Sequence, residues 1–106
     1  MPDELTLATI RECVRRGDYV ISFTHTEKLR ERKISADDIE EAVRRGAIVE
    51  DYPHDARGPS CLILGRSGRR SLHVVCGRLE GERILIITAY EPDPEEWESD
   101  WRTRRR

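Results

Sequence analysis

His73, Thr88 and Tyr90 are the residues of this chain best suited to chemistry. They lie in or beside three apolar runs, GPSCLILG (58–65), LHVVCG (72–77) and IITAYEPDPEEW (86–97). Histidine titrates near neutrality and a tyrosine hydroxyl can donate or orient a proton, so the pair suits general acid/base work on a phosphodiester or another ester. Arg66, Arg69 and Arg70 sit in or beside the turn that joins the first two runs, and Lys28, Arg30, Arg32 and Lys33 cluster in a segment whose one strong apolar residue is Leu29. Either group could hold phosphate and offset charge that develops on it. These residue types describe RNA cleavage without a metal: a ribose hydroxyl attacks its own phosphate, histidine or tyrosine moves protons, and arginine stabilises the transition state. No Gly-rich loop opens a helix, which removes a buried phosphate cradle. His54 with Asp51 and Asp55 falls in a turn-rich loop where such residues serve backbone conformation, so neither a metal nor a cofactor is expected.

Strand register decides whether these groups meet. A two-residue turn at Glu80-Gly81 pairs Leu79 with Glu82, and counting back sets Val75 opposite Ile86, His73 opposite Thr88 and Ser71 opposite Tyr90. A turn at Ser67-Gly68 sets Leu62 opposite His73 and Cys61 opposite Val74. One face of the sheet is then apolar throughout: Cys61, Ile63, Leu72, Val74, Cys76, Leu85, Ile87 and Ala89. The other carries Leu62, Leu64, Val75 and Ile86, with Ser71, His73, Thr88 and Tyr90 gathered at one end. A slip of one residue in either turn would break that grouping. In this register Cys61 and Cys76 are diagonal neighbours, unsuited to a disulfide.

The remaining elements must back the apolar face. Leu7, Ile10 and Val14 recur at helical spacing before Gly17, predicting a helix near residues 4–16. Val20, Ile21 and Phe23 suggest a short strand. Thr24 and Glu27 form a T-x-x-E capping box that would place His25 in the first turn of a second helix ending near Lys33. Ser35 is the N-cap of a third helix with Asp38 at its third position, Ile39, Ala42 and Val43 facing the core, and Gly46 as its stop. Ile48 and Val49 predict a strand, and Glu95 to Arg104 a terminal helix with Asp93 as N-cap, Pro94 at the first position and Trp97 and Trp101 four apart. The tryptophans would clamp this tail to the body.

With 106 residues the chain fits one domain, divided here into an N-terminal helix (1–18), a core (19–92) and an acidic-to-basic C-terminal helix and tail (93–106). Net charge is -2, but Ser60 to Tyr90 holds five Arg against two Glu, whereas Glu91 to Asp100 holds six acids and no base. No apolar run approaches the roughly 20 residues of a membrane span and no leader is evident, so the cytoplasm is the expected location and no membrane partner is expected. Three cysteines at spacings unlike a zinc signature read as reduced and buried.

The motifs DYP (51–53), GPSCLILG, LHVVCG and AYEPDPEEW (89–97) together resemble the bacterial domain of unknown function 4258, over roughly residues 19–105. Such domains look like compact relatives of the RelE and BrnT toxins. The resemblance implies an α+β, RelE-like fold with N-terminal helices packed on a curled antiparallel sheet of three to five strands. It also implies the toxin of a toxin–antitoxin pair, a metal-independent endoribonuclease acting on mRNA, including ribosome-bound mRNA, with a small antitoxin protein as partner. On this view His73 and Tyr90 are catalytic, Arg32, Arg70, Arg69 and Lys28 contact RNA, and His25 and Thr88 are auxiliary. The family form has a histidine at the start of the second helix; the interval from His25 to Ile34-Ser35 is one residue shorter here, which brings Thr24 to that position.

Two other readings use the same residues. A strand histidine beside a threonine also suits a hydrogen-bonded structural role. An uncovered face with Leu62, Leu64, Val75 and Ile86 would fit a non-catalytic interaction module, or a degenerate toxin that has kept only its partner.

Overall fold

The computed structural model describes residues 5–22, 26–56, 58–79 and 83–105. Within these, helix α1 (Leu7–Arg16) begins where the Thr6 hydroxyl accepts from the Thr9 amide, and ends at Gly17, whose φ of 78° is left-handed. The Gly17 and Asp18 amides close that end by donating to the Val14 and Cys13 carbonyls at 3.1 and 2.8 Å. Strand β1 (Tyr19–Ile21) follows, then α2 (Thr26–Glu31). The same closure ends α2, but with Lys33 in the left-handed position at φ 57° and the Ile34 amide on the Leu29 carbonyl at 3.0 Å. Leu29 and Ile34 are both buried beside this closure. Thr24 and His25, with the proposed capping box, lie outside the described residues.

Helix α3 (Ala36–Arg45) has the expected capping box between Ser35 and Asp38 and buries Ile39, Ala42 and Val43 completely. Gly46 caps the end of α3 as expected, its amide on the Val43 carbonyl. Its φ of -95° is not left-handed, and the reason for glycine is space: a Cβ there would lie 2.6 Å from the Ala42 carbonyl oxygen. Gly65 is tighter still, with a Cβ position 1.9 Å from that same oxygen, so α3 rests directly on sheet backbone.

The sheet comprises β1, β2 (Ala47–Tyr52), β3 (Ser60–Ser67), β4 (Arg70–Leu79) and β5 (Arg83–Tyr90), in the order β1-β5-β4-β3-β2. Most of it is antiparallel, but β1 runs parallel to β5, so the sheet is mixed rather than wholly antiparallel. Ile10, Ile39, Val43, Ile63, Leu72, Val74 and Ile86 are fully buried between sheet and helices. Burial of each such side chain contributes roughly 1.5–3 kcal/mol before entropy is counted. Among the described residues no helix is long and apolar enough to cross a membrane.

The expected C-terminal helix does not form. Residues 94–96 make a single turn, with the Trp97 amide on the Asp93 carbonyl at 3.0 Å, and Trp97 then bridges Arg104 in antiparallel fashion. Polar side chains compete with helix here. The Asp100 carboxylate takes the Arg102 and Thr103 amides at 2.9 and 3.0 Å, turning the chain back so that the Glu98 amide meets the Thr103 carbonyl at 2.7 Å.

Candidate functional site

Two departures from the simplest register place the polar residues. The β3–β4 turn is Gly68-Arg69, one residue later than expected, which moves the pairing by two residues and leaves each side chain on its expected face. Cys61 therefore stands directly opposite Cys76 rather than diagonal to it; both thiols are free and buried, and burial pushes the Cys61 pKa up to about 12 and that of Cys76 well above normal. Between β4 and β5 the first pair is Leu79 with Arg83, and a bulge at Ile87 adds one more residue of offset. The first half of β5 is thus turned over relative to expectation: Ile84 and Ile86 enter the core, and Leu85 and Ile87 do not. The bulge turns the strand again, so Ala89 is buried while Thr88 and Tyr90 reach the outer face.

That face has two cross-strand rows. Ala47, Leu64, His73 and Tyr90 form one, and Glu50, Leu62, Val75 and Thr88 form the other. His73 is paired with Tyr90, not with Thr88. Their rings meet edge to face with centroids 5.4 Å apart.

Arg32 and Arg70 join this end of the sheet for reasons visible in the backbone. Pairing of β1 with β5 stops at Ile86, and beyond it the Arg32 guanidinium takes the Ala89 carbonyl at 2.8 Å and the Thr88 hydroxyl at 3.2 Å. Arg70 caps the end of α2, donating to the Lys33 and Arg32 carbonyls at 2.8 and 3.2 Å, with the Glu91 carboxylate 3.8 Å from its Nε. Lys28 on α2 and Arg69 in the hairpin turn are exposed. Of the expected site residues, the structure thus brings together His73, Tyr90, Thr88, Arg32 and Arg70, leaves Lys28 and Arg69 at the surface, and does not describe His25.

The C-terminal segment covers part of this face. The Trp97 ring stands edge-on to His73 at 4.5 Å, and Tyr90 closes another side, so His73 has no exposed surface. His73 Nε2 lies 2.8 Å from the Trp101 carbonyl oxygen. A carbonyl only accepts, so Nε2 carries the proton and Nδ1 of the neutral ring is a bare acceptor, buried without a hydrogen-bond partner. Arg104 stacks 4.5 Å over Trp97 and forks onto Glu50 with two bonds of 2.8 and 2.9 Å; Glu50 also accepts from the Tyr52 hydroxyl.

Burial lowers the His73 pKa, opposed by the Trp101 carbonyl and the Glu50 charge and reinforced by Arg104. The Arg104 bonds lower that of Glu50. Burial raises that of Tyr90, which keeps its phenol protonated at neutral pH. Such a tyrosine donates a proton rather than accepts one. Glu50, Trp97, Trp101 and Arg104 were not among the expected site residues. The Trp97/Trp101 pair was a visible signal for a clamp, but no local pattern links Glu50 to Arg104 across 54 positions.

The architecture is a helix-backed mixed sheet with an aromatic cluster on its outer face and two arginines at the adjoining end of α2. The chain belongs to the family described as Domain of unknown function (DUF4258), whose model matches residues 25–91, more than half of the chain. No curated protein and no solved structure matches it.

Proposed function

We propose that this protein is an endoribonuclease of the RelE-like toxin type, acting on mRNA, free or on the ribosome, and held in check by a small antitoxin. The observation that carries the reading is the Arg32 guanidinium on Thr88 and Ala89, one residue from Tyr90, with Arg70 against the same α2 end. A phosphodiester seated there would meet two arginines and a protonated phenol. Arg32 and Arg70 offset charge on the phosphate oxygens while the ribose 2'-hydroxyl attacks phosphorus. As the bond to the 5'-oxygen breaks, Tyr90 supplies the proton to that leaving group. Neutral His73, with an unprotonated Nδ1, suits the general base that takes the 2'-hydroxyl proton, once its ring is reachable.

The test is expression of wild type, Arg32→Ala and Tyr90→Phe in a bacterial host with mRNA 5'-end mapping. New 5' ends in the wild type that vanish in both variants are expected; identical end profiles in all three and in an empty-vector control would sink the reading. A second reading, a partner-binding module without catalysis, draws on the complete burial of His73. It predicts co-purification of a neighbouring gene product by both variants and no new ends from any of them.

A further inference from the structure

We propose that residues 93–105 form a displaceable cover over His73, opening as a unit while the sheet stays folded. The cover holds itself together. The Glu98 and Arg105 amides bond to the Thr103 and Glu96 carbonyls at 2.7 and 2.9 Å, and Arg105 Nε reaches back to the Pro94 and Trp97 carbonyls at 2.6 and 3.0 Å. Its polar anchors to the outer sheet face are few: the Trp101 carbonyl on His73 and the Arg104 guanidinium on Glu50 and Tyr52.

Two features of the closed arrangement oppose it at the point of contact. Trp101 sits at φ 59°, a conformation that non-glycine residues rarely adopt and that is associated with segments held under strain. His73 Nδ1 is buried with no hydrogen-bond partner, a cost that water would remove on opening. The cover also lies beyond the part of the chain that the family model matches, whereas every residue it hides on the sheet lies inside it. Opening therefore uncovers the family's own surface. This use of the cover rests on the endoribonuclease reading: in the closed form His73 Nδ1 can meet no 2'-hydroxyl, and in the open form it can.

The experiment measures opening without relying on cleavage. Diethyl pyrocarbonate labels unprotonated imidazole, so the initial rate of His73 labelling, read by peptide mass spectrometry on the full chain, reports access to the ring. Amide exchange at Val74 and Ala89, a cross-strand pair in the sheet, reports global opening. In the wild type His73 is expected to label at least about 100-fold faster than the opening rate of those amides allows. Arg104→Ala should raise labelling roughly tenfold and leave Val74 and Ala89 unchanged. Labelling of wild-type His73 only at the rate of global opening would overturn the cover, whether or not Arg104→Ala folds. Incubation of both proteins with a short single-stranded RNA separates the two ideas. Faster cutting by Arg104→Ala supports both, while rapid His73 labelling with no cutting by either protein upholds the cover and counts against the endoribonuclease.

Discussion

Tyr90 stands directly across from His73, their ring planes at 75°, because Ile87 is one residue more than the β4–β5 ladder can pair. Were Ile87 paired in the ladder instead of bulged out of it, the alternation that buries Ile84 and Ile86 would carry Thr88 and Tyr90 into the core as well. Deletion of Ile87 removes the bulge but lets Thr88 follow Ile86 directly, so Thr88 and Tyr90 keep the outer face and Ala89 the inner one. The expected loss is therefore small, about 1 kcal/mol. Urea denaturation followed by circular dichroism measures it, and a loss of several kcal/mol would show that the bulge itself holds the strand in place.

Gly65 makes a sharper case of sterics. Its added Cβ would meet α3 backbone at 1.9 Å, and backbone cannot swing aside as a side chain can. Gly65→Ala should cost about 3 kcal/mol or more. Gly68→Ala, in open space but at φ 60°, should cost only about 1–2 kcal/mol. Thermal unfolding of both variants checks the order.

The legibility of the chain followed the range of the forces involved. Ser35 with Asp38, and Gly17 after a periodic apolar face, act within one helical turn, and both helices form, α1 starting at Leu7 behind a Thr6 cap rather than near residue 4. The identity of the core-facing residues in β3 and β4 was also legible, because a turn displaced by one residue preserves the faces. The second half of β5 was assigned to the correct face for an incorrect reason: an additional loop residue and a bulge each inverted the strand, and together they cancelled. The Trp97–Arg104 fold-back was not legible. Helix spacing of the tryptophans lost to the Asp100 carboxylate, which binds the Arg102 and Thr103 amides in a turn, even though the Asp93 carboxylate takes the Glu95 amide as an N-cap would.

His73 couples the fold to pH. Burial among Tyr90 of β5, Trp97 and Arg104 of the C-terminal segment and Glu50 of β2 leaves its folded pKa below the ordinary 6.5. In the window below 6.5 the unfolded chain binds a proton that the folded chain refuses. Its share of stability is thus complete above pH 6.5 and falls away as pH drops toward the lowered folded value. Chemical denaturation from pH 8 to about pH 5 should show this slope in the wild type and lose it in His73→Gln.

Glu50 titrates lower. Its folded pKa lies below 4.5, so the pair with Arg104 contributes above that value and is lost as pH falls through the lowered one. Arg104 is 57% exposed and Glu50 24%, so solvent screens the pair. Glu50→Gln should cost about 0.5–1 kcal/mol at pH 7 and little at low pH. Unfolding midpoints at the two pH values provide the comparison, and equal losses at both would exclude the charge as the cause.

Arg32 separates binding from folding. Its side chain is exposed, so Arg32→Ala should shift the unfolding temperature by only a few degrees, about 1 kcal/mol for one carbonyl and one hydroxyl contact. If the endoribonuclease reading holds, RNA affinity should fall roughly tenfold with the loss of the phosphate contact that reading gives Arg32, with a shallower dependence on salt. Arg32→Lys should recover the salt slope without the full affinity, because an ammonium lacks the planar fork. Filter binding at two salt concentrations distinguishes the three proteins.

The brevity of β1 has a consequence for how such a surface could be gained or erased. Only three residues of β1 pair with β5, ending at Ile86. The Ala89 carbonyl three positions further on can be satisfied either by another rung of main chain or by a guanidinium, and here the guanidinium occupies it. Lengthening the edge strand by a few residues would zip the ladder shut and evict Arg32 without touching any other side chain of the cluster. A cation at this corner is thus conditional on where a neighbouring strand stops, so strand length alone can switch the corner between scaffold and reagent.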